Sequence, residues 1–290
     1  MTTAVASYLH ARQAAGQWLV RIEDIDPPRE VAGASDRILR TLEAFDLYWD
    51  GPVLYQSRRG DEYAAAAQRL LGEDLAFRCS CSRSTLREVG AEQGPYPGTC
   101  RTRGVHGEAT SIRVRVDAAP VQFVDGLQGD LVADLTATTG DYVIWRRDGL
   151  PAYHLAVVLD DAAQGVTTVV RGSDLLEPTA VHVHLQRTLG LPTPRYFHTP
   201  IVLNAEGQKL SKQTGAIPVE SRFKTRLARQ ALGLLGADVP KELAGASPRE
   251  LWRWAIENWQ IDKLRGRREW QAAASAQAGP EGPERADPNG

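Results

Sequence analysis

The chain's three cysteines all fall between positions 79 and 100, as Cys79-x-Cys81 and then Cys100, with Tyr96 four residues before the last. A Cys-x-Cys pair joined by a third cysteine returning from a loop can close around one tetrahedral Zn²⁺, which thiolates bind without redox chemistry. Three thiolates leave one coordination position. His106 is the usual donor by residue type. Tyr96 would first have to lose a phenol proton of ordinary pKa about 10, which a bound cation can pull down. The same residues also suit a plain packing role, as three thiols in a small apolar lobe. The pattern shows no place for a catalytic water, so a metal here would be structural.

The second chemical cluster is GQKLSKQ at 207–213, where Lys209 and Lys212 bracket two residues in a turn. Two close ammonium groups repel each other, so a flexible pair suits an arriving polyanion such as the triphosphate of ATP, or else a solvated loop. Further basic groups lie at Lys224, Arg226 and Arg229 and at Lys263, Arg265, Arg267 and Arg268. They read as contacts to nucleic-acid phosphates or as solvated helix faces. With 34 Lys and Arg against 36 Asp and Glu the net charge is −2. That excludes a general polyanion binder and makes any nucleic-acid surface a local patch.

The elements that must position these groups alternate. Residues 3–15 are alanine-rich and predict a helix ending at Gly16. QWLVRIEDI alternates as a strand, with Trp18, Val20 and Ile22 on one face, and Pro27-Pro28 stops it. Helical periodicity follows at 31–45 and 61–75. SIRVRV, VQFVDGLQGDLV with a turn at Gly126, and DYVIWRR predict antiparallel strands. YHLAVVLDD and GVTTVVRG read as short buried strands, SDLLEPTAVHVHLQRTLG as a helix and YFHTPIVLN as a strand. From 222 onward the pattern is helical only, with a capping box at Ser247-Pro-Arg-Glu250. The tail after Trp270 has little to bury and is expected to be disordered.

Strands alternating with helices, a β-rich cysteine-bearing insert and closing helices predict an α/β, Rossmann-like core with additions. The 290 residues, 42% hydrophobic, suffice for one large domain or two modest ones. No apolar run approaches the ~20 residues that span a bilayer. The start is not a secretory signal, so a cytoplasmic protein is expected.

Five segments in order carry a resemblance: RIEDIDPPRE (21–30), the cysteines with Tyr96-x-x-x-Cys100, RRDGLPAYHLAVVLDD (146–161), GVTTVVRGSDLLEPT (165–179) and KLSKQ (209–213). Together they resemble the glutamyl-queuosine tRNA(Asp) synthetases, truncated relatives of the class I glutamyl-tRNA synthetases, over about residues 2–270. The resemblance implies a class I aminoacyl-tRNA synthetase catalytic core in two parts, 1–75 and 141–215, with a zinc-bearing insert at 76–140. A helical stem-contact region at 216–270 and a disordered tail at 271–290 would follow. It implies ATP-dependent activation of L-glutamate without tRNA, with Mg²⁺ accompanying ATP. Transfer then goes to the queuosine base at the wobble position of tRNA(Asp). By the same resemblance Lys209 and Lys212 are catalytic, Lys212 contacting ATP. Glu23, Tyr153 and Arg171 hold glutamate, and Cys79, Cys81, Tyr96 and Cys100 hold one Zn²⁺, which prefers Tyr96 to His106. A monomer is expected.

Glutamate has an ammonium and two carboxylates. Glu23 suits the first, Arg171 can clamp a carboxylate with its planar fork, and Tyr153 can donate or accept at the amino-acid end. On the other hand, Arg171 can pair with Asp160 or Asp161, and Tyr153 can be core. The resemblance also implies a first strand and a Pro-Ser-Pro…His-x-Gly signature ahead of the first helix, whereas the sequence opens at Met1-Thr2-Thr3 inside that helix. A start codon further upstream is therefore expected, with protein begun at Met1 inactive in pyrophosphate exchange. His10 reads as a helix-surface histidine, and His154 departs from the pattern of many relatives. Two rival readings are a fragment of an ordinary glutamyl-tRNA synthetase and a zinc-containing RNA-binding pseudoenzyme.

Overall fold

A computed structural model describes residues 1–27, 30–92, 94–107, 109–204, 207, 209 and 221–271. Lys212 and residues 272–290 of the tail expected to be disordered lie outside these residues, while Gln271 ends a strand. In chain order come α1 (Thr2–Gln13), β1 (Arg21–Ile22), α2 (Ala34–Ala44), β2 (Leu54–Tyr55), α3 (Gly60–Gly72), β3 (Ala76–Cys79) and α4 (Arg83–Glu88). They are followed by β4 (Ser111–Val114), β5 (Val121–Asp125), β6 (Gly129–Ala133), α5 (Leu135–Thr138), β7 (Val143–Trp145) and α6 (Tyr153–Ala163). Then come β8 (Thr168–Gly172), α7 (Leu176–Leu189), β9 (Arg195–Thr199), β10 (Ile201–Leu203), α8 (Lys224–Leu234), α9 (Pro248–Asn258) and β11 (Glu269–Gln271).

The central sheet has the order β6-β5-β9-β8, with β8 and β5 parallel to β9 and β6 closing the β5 hairpin antiparallel. A second sheet, β3-β4-β7, is antiparallel throughout and begins at the cysteines. The buried face of α7 (Ala180, Val181, Val183, Leu185, Leu189) shares one core with Leu155, Ala156 and Val158 of α6 and with Tyr63, Ala67 and Leu70 of α3. A second core joins Val5, Ala6 and Leu9 of α1 to Leu232, Leu251, Trp252 and Trp259. Both tryptophans are satisfied there, donating to Phe45 O at 2.7 Å and Leu235 O at 2.9 Å. The predicted capping box is formed, with the Ser247 hydroxyl and the Glu250 carboxylate bonding reciprocally across the first turn of α9.

Five expectations change. YHLAVVLDD is not a strand but most of α6. Its Leu155–Val158 run, with Asp160 and Asp161, is buried nearly all round, and a helix enclosed on every side loses the 3.6-residue signature that separates it from a buried strand. YFHTPIVLN divides at Pro200, which lacks the N–H to continue a ladder. Its first part, β9, joins the central sheet, and its second, β10, pairs with β11. That pairing places a strand at 269–271, where the sequence reads as helical only. The strand read at 17–25 is paired only at Arg21–Ile22, against Leu54–Tyr55. His10, read as a surface residue, is half-buried because its ring lies 4.6 Å from that of Phe197 on β9.

Candidate functional site

The cysteine lobe forms a small core of its own, in which Phe77, Cys79, Tyr96 and Cys100 are buried. The strand β3 delivers Cys79 and the following turn Cys81. The loop after α4 returns Tyr96 and Cys100 to the same point. The three sulfurs lie within 4.8 Å of one another, with Cys81 Sγ and Cys100 Sγ 3.6 Å apart. The Tyr96 hydroxyl stands 3.3 Å from Cys79 Sγ and 3.6 Å from Cys81 Sγ. Sulfurs around a tetrahedral zinc with Zn–S near 2.3 Å stand about 3.8 Å apart, so these four donors fit that geometry. No histidine joins the cluster among the described residues, and His106 is exposed.

Burial pushes the Cys100 thiol up, but hydrogen bonds from Ser80 and Tyr96 outweigh it and bring the pKa down to about 6. Burial, with hydrogen bonding to Cys79, holds the Tyr96 phenol well above its usual range. A further residue, absent from the sequence reading, fixes the tyrosine. Gly140 has φ +63°, and a Cβ there would stand 2.5 Å from the Tyr96 nitrogen. The backbone of residue 140 therefore lies flat on residue 96, an approach only glycine permits.

The second constellation sits at the carboxyl ends of the parallel strands, where doubly wound sheets bind ligands. Arg171 of β8 lies in register with His198 of β9. Arg171 is buried at 9% exposure. Its Nε donates to His198 Nε2 at 3.1 Å and its Nη2 to Thr179 Oγ1 at 2.6 Å. His198 Nδ1 in turn meets Asp125 Oδ2 at 2.6 Å. Burial pushes the Asp125 carboxyl up, but hydrogen bonds from His198 and from the Leu127 and Gln128 amides outweigh it and lower the pKa. An ionised Asp125 places the His198 proton on Nδ1, which leaves Nε2 to accept from Arg171.

Arg171 pairs with neither Asp160 nor Asp161. Asp160 accepts from Arg59, Gln56 and Tyr63, each at 2.8 Å, and Asp161 pairs with Arg21 at 2.8 Å. Among the described residues Arg171 makes no carboxylate pair, so a buried positive charge is held by neutral acceptors. Tyr153, half-buried in the first turn of α6, lies in the electric field of both Arg171 and Glu23. Glu23 follows β1, with its side chain 42% exposed and 3.6 Å from Arg21. Partial burial pushes its carboxyl up, with Arg21 opposing. The structure thus brings Glu23, Tyr153 and Arg171 into one neighbourhood. Lys209 pairs with Asp174 at 2.5 Å.

His154, His182, His198, Asp125 and Thr179 complete this neighbourhood and were missed as site residues by the sequence reading. For Thr179 and His182 the signal was polar residues on a helix otherwise buried, as in TAVHVH. Burial and Arg171 drive the His154 pKa down to about 4 and that of His182 well below its ordinary value. Both imidazoles are neutral when folded and bind protons more readily when unfolded. Their stabilisation is therefore complete above about pH 6.5 and is lost as pH falls toward 4, at about 1.4 kcal/mol per pH unit for each group. Urea midpoints measured from pH 7.5 to 5 should fall steeply in the wild type and less steeply in a His154→Gln, His182→Gln double variant. Equal slopes would remove these histidines as the cause.

The family described as tRNA synthetases class I (E and Q), catalytic domain, matches residues 1–232. A crystal structure of a glutamate tRNA ligase from Elizabethkingia meningosepticum in complex with its amino acid superposes with a TM-score of 0.77 at 24% identity. The likeness covers 95% of this chain and 64% of the ligase, so the chain spans just under two thirds of that enzyme's length. The parallel sheet that carries Arg171 is thus that of a class I aminoacyl-tRNA synthetase catalytic domain. The chain is 48% identical to the glutamyl-Q tRNA(Asp) synthetase of Ectopseudomonas mendocina, over 91% of its own length and 89% of the relative's. It is 46% identical to that of Chromobacterium violaceum over the same shares. The chain belongs to the glutamyl-Q tRNA(Asp) synthetase family, whose members are aminoacyl-tRNA synthetase-like ligases. No helix among the described residues is long and apolar enough to cross a membrane.

Proposed function

We propose that this protein activates L-glutamate with ATP, without needing tRNA, and transfers it to the queuosine base at the wobble position of tRNA(Asp). The observation that carries the reading is Arg171, a buried guanidinium with no carboxylate partner among the described residues, beside Tyr153 and within the field of Glu23. An unneutralised buried cation is costly, and an acidic ligand offsets it. Glutamate supplies a carboxylate for Arg171 and an ammonium for Glu23. Activation is in-line attack of the α-carboxylate oxygen on the α-phosphorus of ATP, with the bond to the bridging oxygen breaking and pyrophosphate leaving. That chemistry needs positioning and charge neutralisation, not a side-chain nucleophile. Lys212, with Lys209 beside it in sequence, is the candidate for the phosphates, and Mg²⁺ enters with ATP. In the separate lobe Cys79, Cys81, Tyr96 and Cys100 would hold a Zn²⁺, which when bound cross-links that lobe.

Glutamate-dependent exchange of pyrophosphate into ATP, run with the full-length gene product and no tRNA, tests the first step. Transfer of labelled glutamate to tRNA(Asp) with and without queuosine tests the second. Exchange without tRNA, and transfer to the modified tRNA alone, are expected. Charging of the 3′-terminal ribose instead would mark an ordinary glutamyl-tRNA synthetase, and the absence of both reactions a binding protein.

A further inference from the structure

Two buried ring nitrogens near Arg171 have no hydrogen-bond partner among the described residues: Nε2 of His182 and Nδ1 of His154. The His182 side belongs to a residue only 1% exposed, with its ring 5.5 Å from that of Tyr153. Arg171 determines which proton His182 carries. Both of its terminal nitrogens stand 3.3 Å from His182 Nδ1, and a guanidinium can only donate. Nδ1 therefore holds the lone pair, and the single proton of the neutral ring sits on Nε2. The unpartnered atom is a donor, buried and unsatisfied, which native structures rarely tolerate without a ligand to complete it.

The donor count on Arg171 says what that ligand needs. Of its five N–H groups, Nε serves His198, and the two on Nη2 serve Thr179 and the Leu175 carbonyl. One more faces His182 Nδ1, which leaves a single N–H on Nη1. In this pose Arg171 cannot grip a carboxylate with two parallel bonds, so the second oxygen requires a donor from elsewhere.

We propose that His182 supplies it, as a residue that distinguishes acid from amide in the amino-acid pocket. Its Nε2–H bonds one carboxylate oxygen of the substrate while the remaining Nη1–H of Arg171 bonds the other. Two donors facing two oxygens suit a carboxylate, whereas a carboxamide would set its NH₂ against one of them. This inference rests on the reading of the pocket as a glutamate site, and its test separates the two.

Binding of L-glutamate and L-glutamine to the full-length protein is measured by calorimetry in the wild type and in Arg171→Ala, His182→Leu and His182→Gln. Removing a hydrogen bond to a charged group typically weakens binding roughly 10–100-fold, and that loss is expected for glutamate in His182→Leu, with glutamine little affected. His182→Gln, whose amide N–H can replace the imidazole donor, should restore most of it. In protein labelled with ¹⁵N-histidine, the His182 Nε2 resonance should carry a proton and move on addition of glutamate. Glutamate affinity lost in Arg171→Ala but kept in His182→Leu would overturn the inference and leave the site reading intact. A His182 Nε2 signal that responds to His154→Leu and not to glutamate would overturn it as well, by giving the donor to its neighbour, 5.1 Å away ring to ring. No glutamate binding in the wild type would overturn both.

Discussion

Replacing Arg171 with alanine is expected to weaken glutamate binding by roughly 10–100-fold while leaving ATP affinity unchanged, from the cost of removing one charge-assisted contact in a dry site. The structural basis is the way the guanidinium is held. His198, Thr179 and His182 orient it, and Asp125 fixes His198 from behind. Asp125 thus supplies a counter-charge one imidazole away, without occupying the face a ligand would use. Arg171→Lys should recover little, because a lysine ammonium lacks the planar fork that reaches these acceptors together. Lys212→Ala should do the converse, raising the ATP requirement and sparing glutamate. Calorimetry with each ligand separates the cases. An Arg171→Ala protein with wild-type glutamate affinity would remove this residue from the site.

Purified without chelators, the protein is expected to contain one zinc per chain, and Cys100→Ser to lose it together with the order of the cysteine lobe. The lobe's own buried side chains are few: Phe77, Cys79, Tyr96 and Cys100, with Cys81, Leu86 and Val105 packed partly against them. So small a core cannot offset the entropy of ordering the loop from 80 to 110, whereas a structural zinc in a small site contributes on the order of 10 kcal/mol. Metal analysis gives the stoichiometry, and hydrogen exchange read between residues 79 and 106 gives the order. Tyr96→Phe keeps the ring under the Arg113 guanidinium, 3.9 Å away, and removes only the oxygen, so it isolates the fourth ligand. Zinc affinity unchanged in Tyr96→Phe but abolished in Cys100→Ser would assign the fourth position elsewhere, with His106 next to be tested. A metal-free protein with an ordered lobe would favour the packing role of the three thiols.

Part of this protein was legible from residue order alone. The spacing of Cys79, Cys81 and Cys100 announced one local cluster, because cysteines confined to a short stretch have little else to meet. Ser247 and Glu250 announced the start of α9, because a capping box is satisfied within one turn. The strands at 111–116, 121–132 and 141–147 followed from alternation, and the hairpin at 121–132 from its turn, which are local as well. Local patterns failed where burial was complete. Residues 153–161 read as a strand because a helix enclosed on all sides shows no polar face, and β11 escaped notice because three residues become a strand only when β10 is there to pair with them.

The sequence by itself offered residues of suitable chemistry: three thiols with a phenol and a lysine pair by their spacing, and Glu23, Tyr153 and Arg171 by the resemblance. Only the tertiary structure decided which neighbours the described ones meet. Nothing in sequence spacing shows that Arg171 avoids Asp160 and Asp161, because those carboxylates are claimed by Arg59 and Arg21 from distant elements. Nor does it show that Gly140 leaves room for Tyr96, or that Asp125, His198 and His182 meet around one guanidinium. Hydrogen bonds and charge pairing at 3 Å depend on which strand ends adjoin in the sheet. That adjacency is set by long-range packing of β5, β8 and β9 against α6 and α7, which no local pattern encodes.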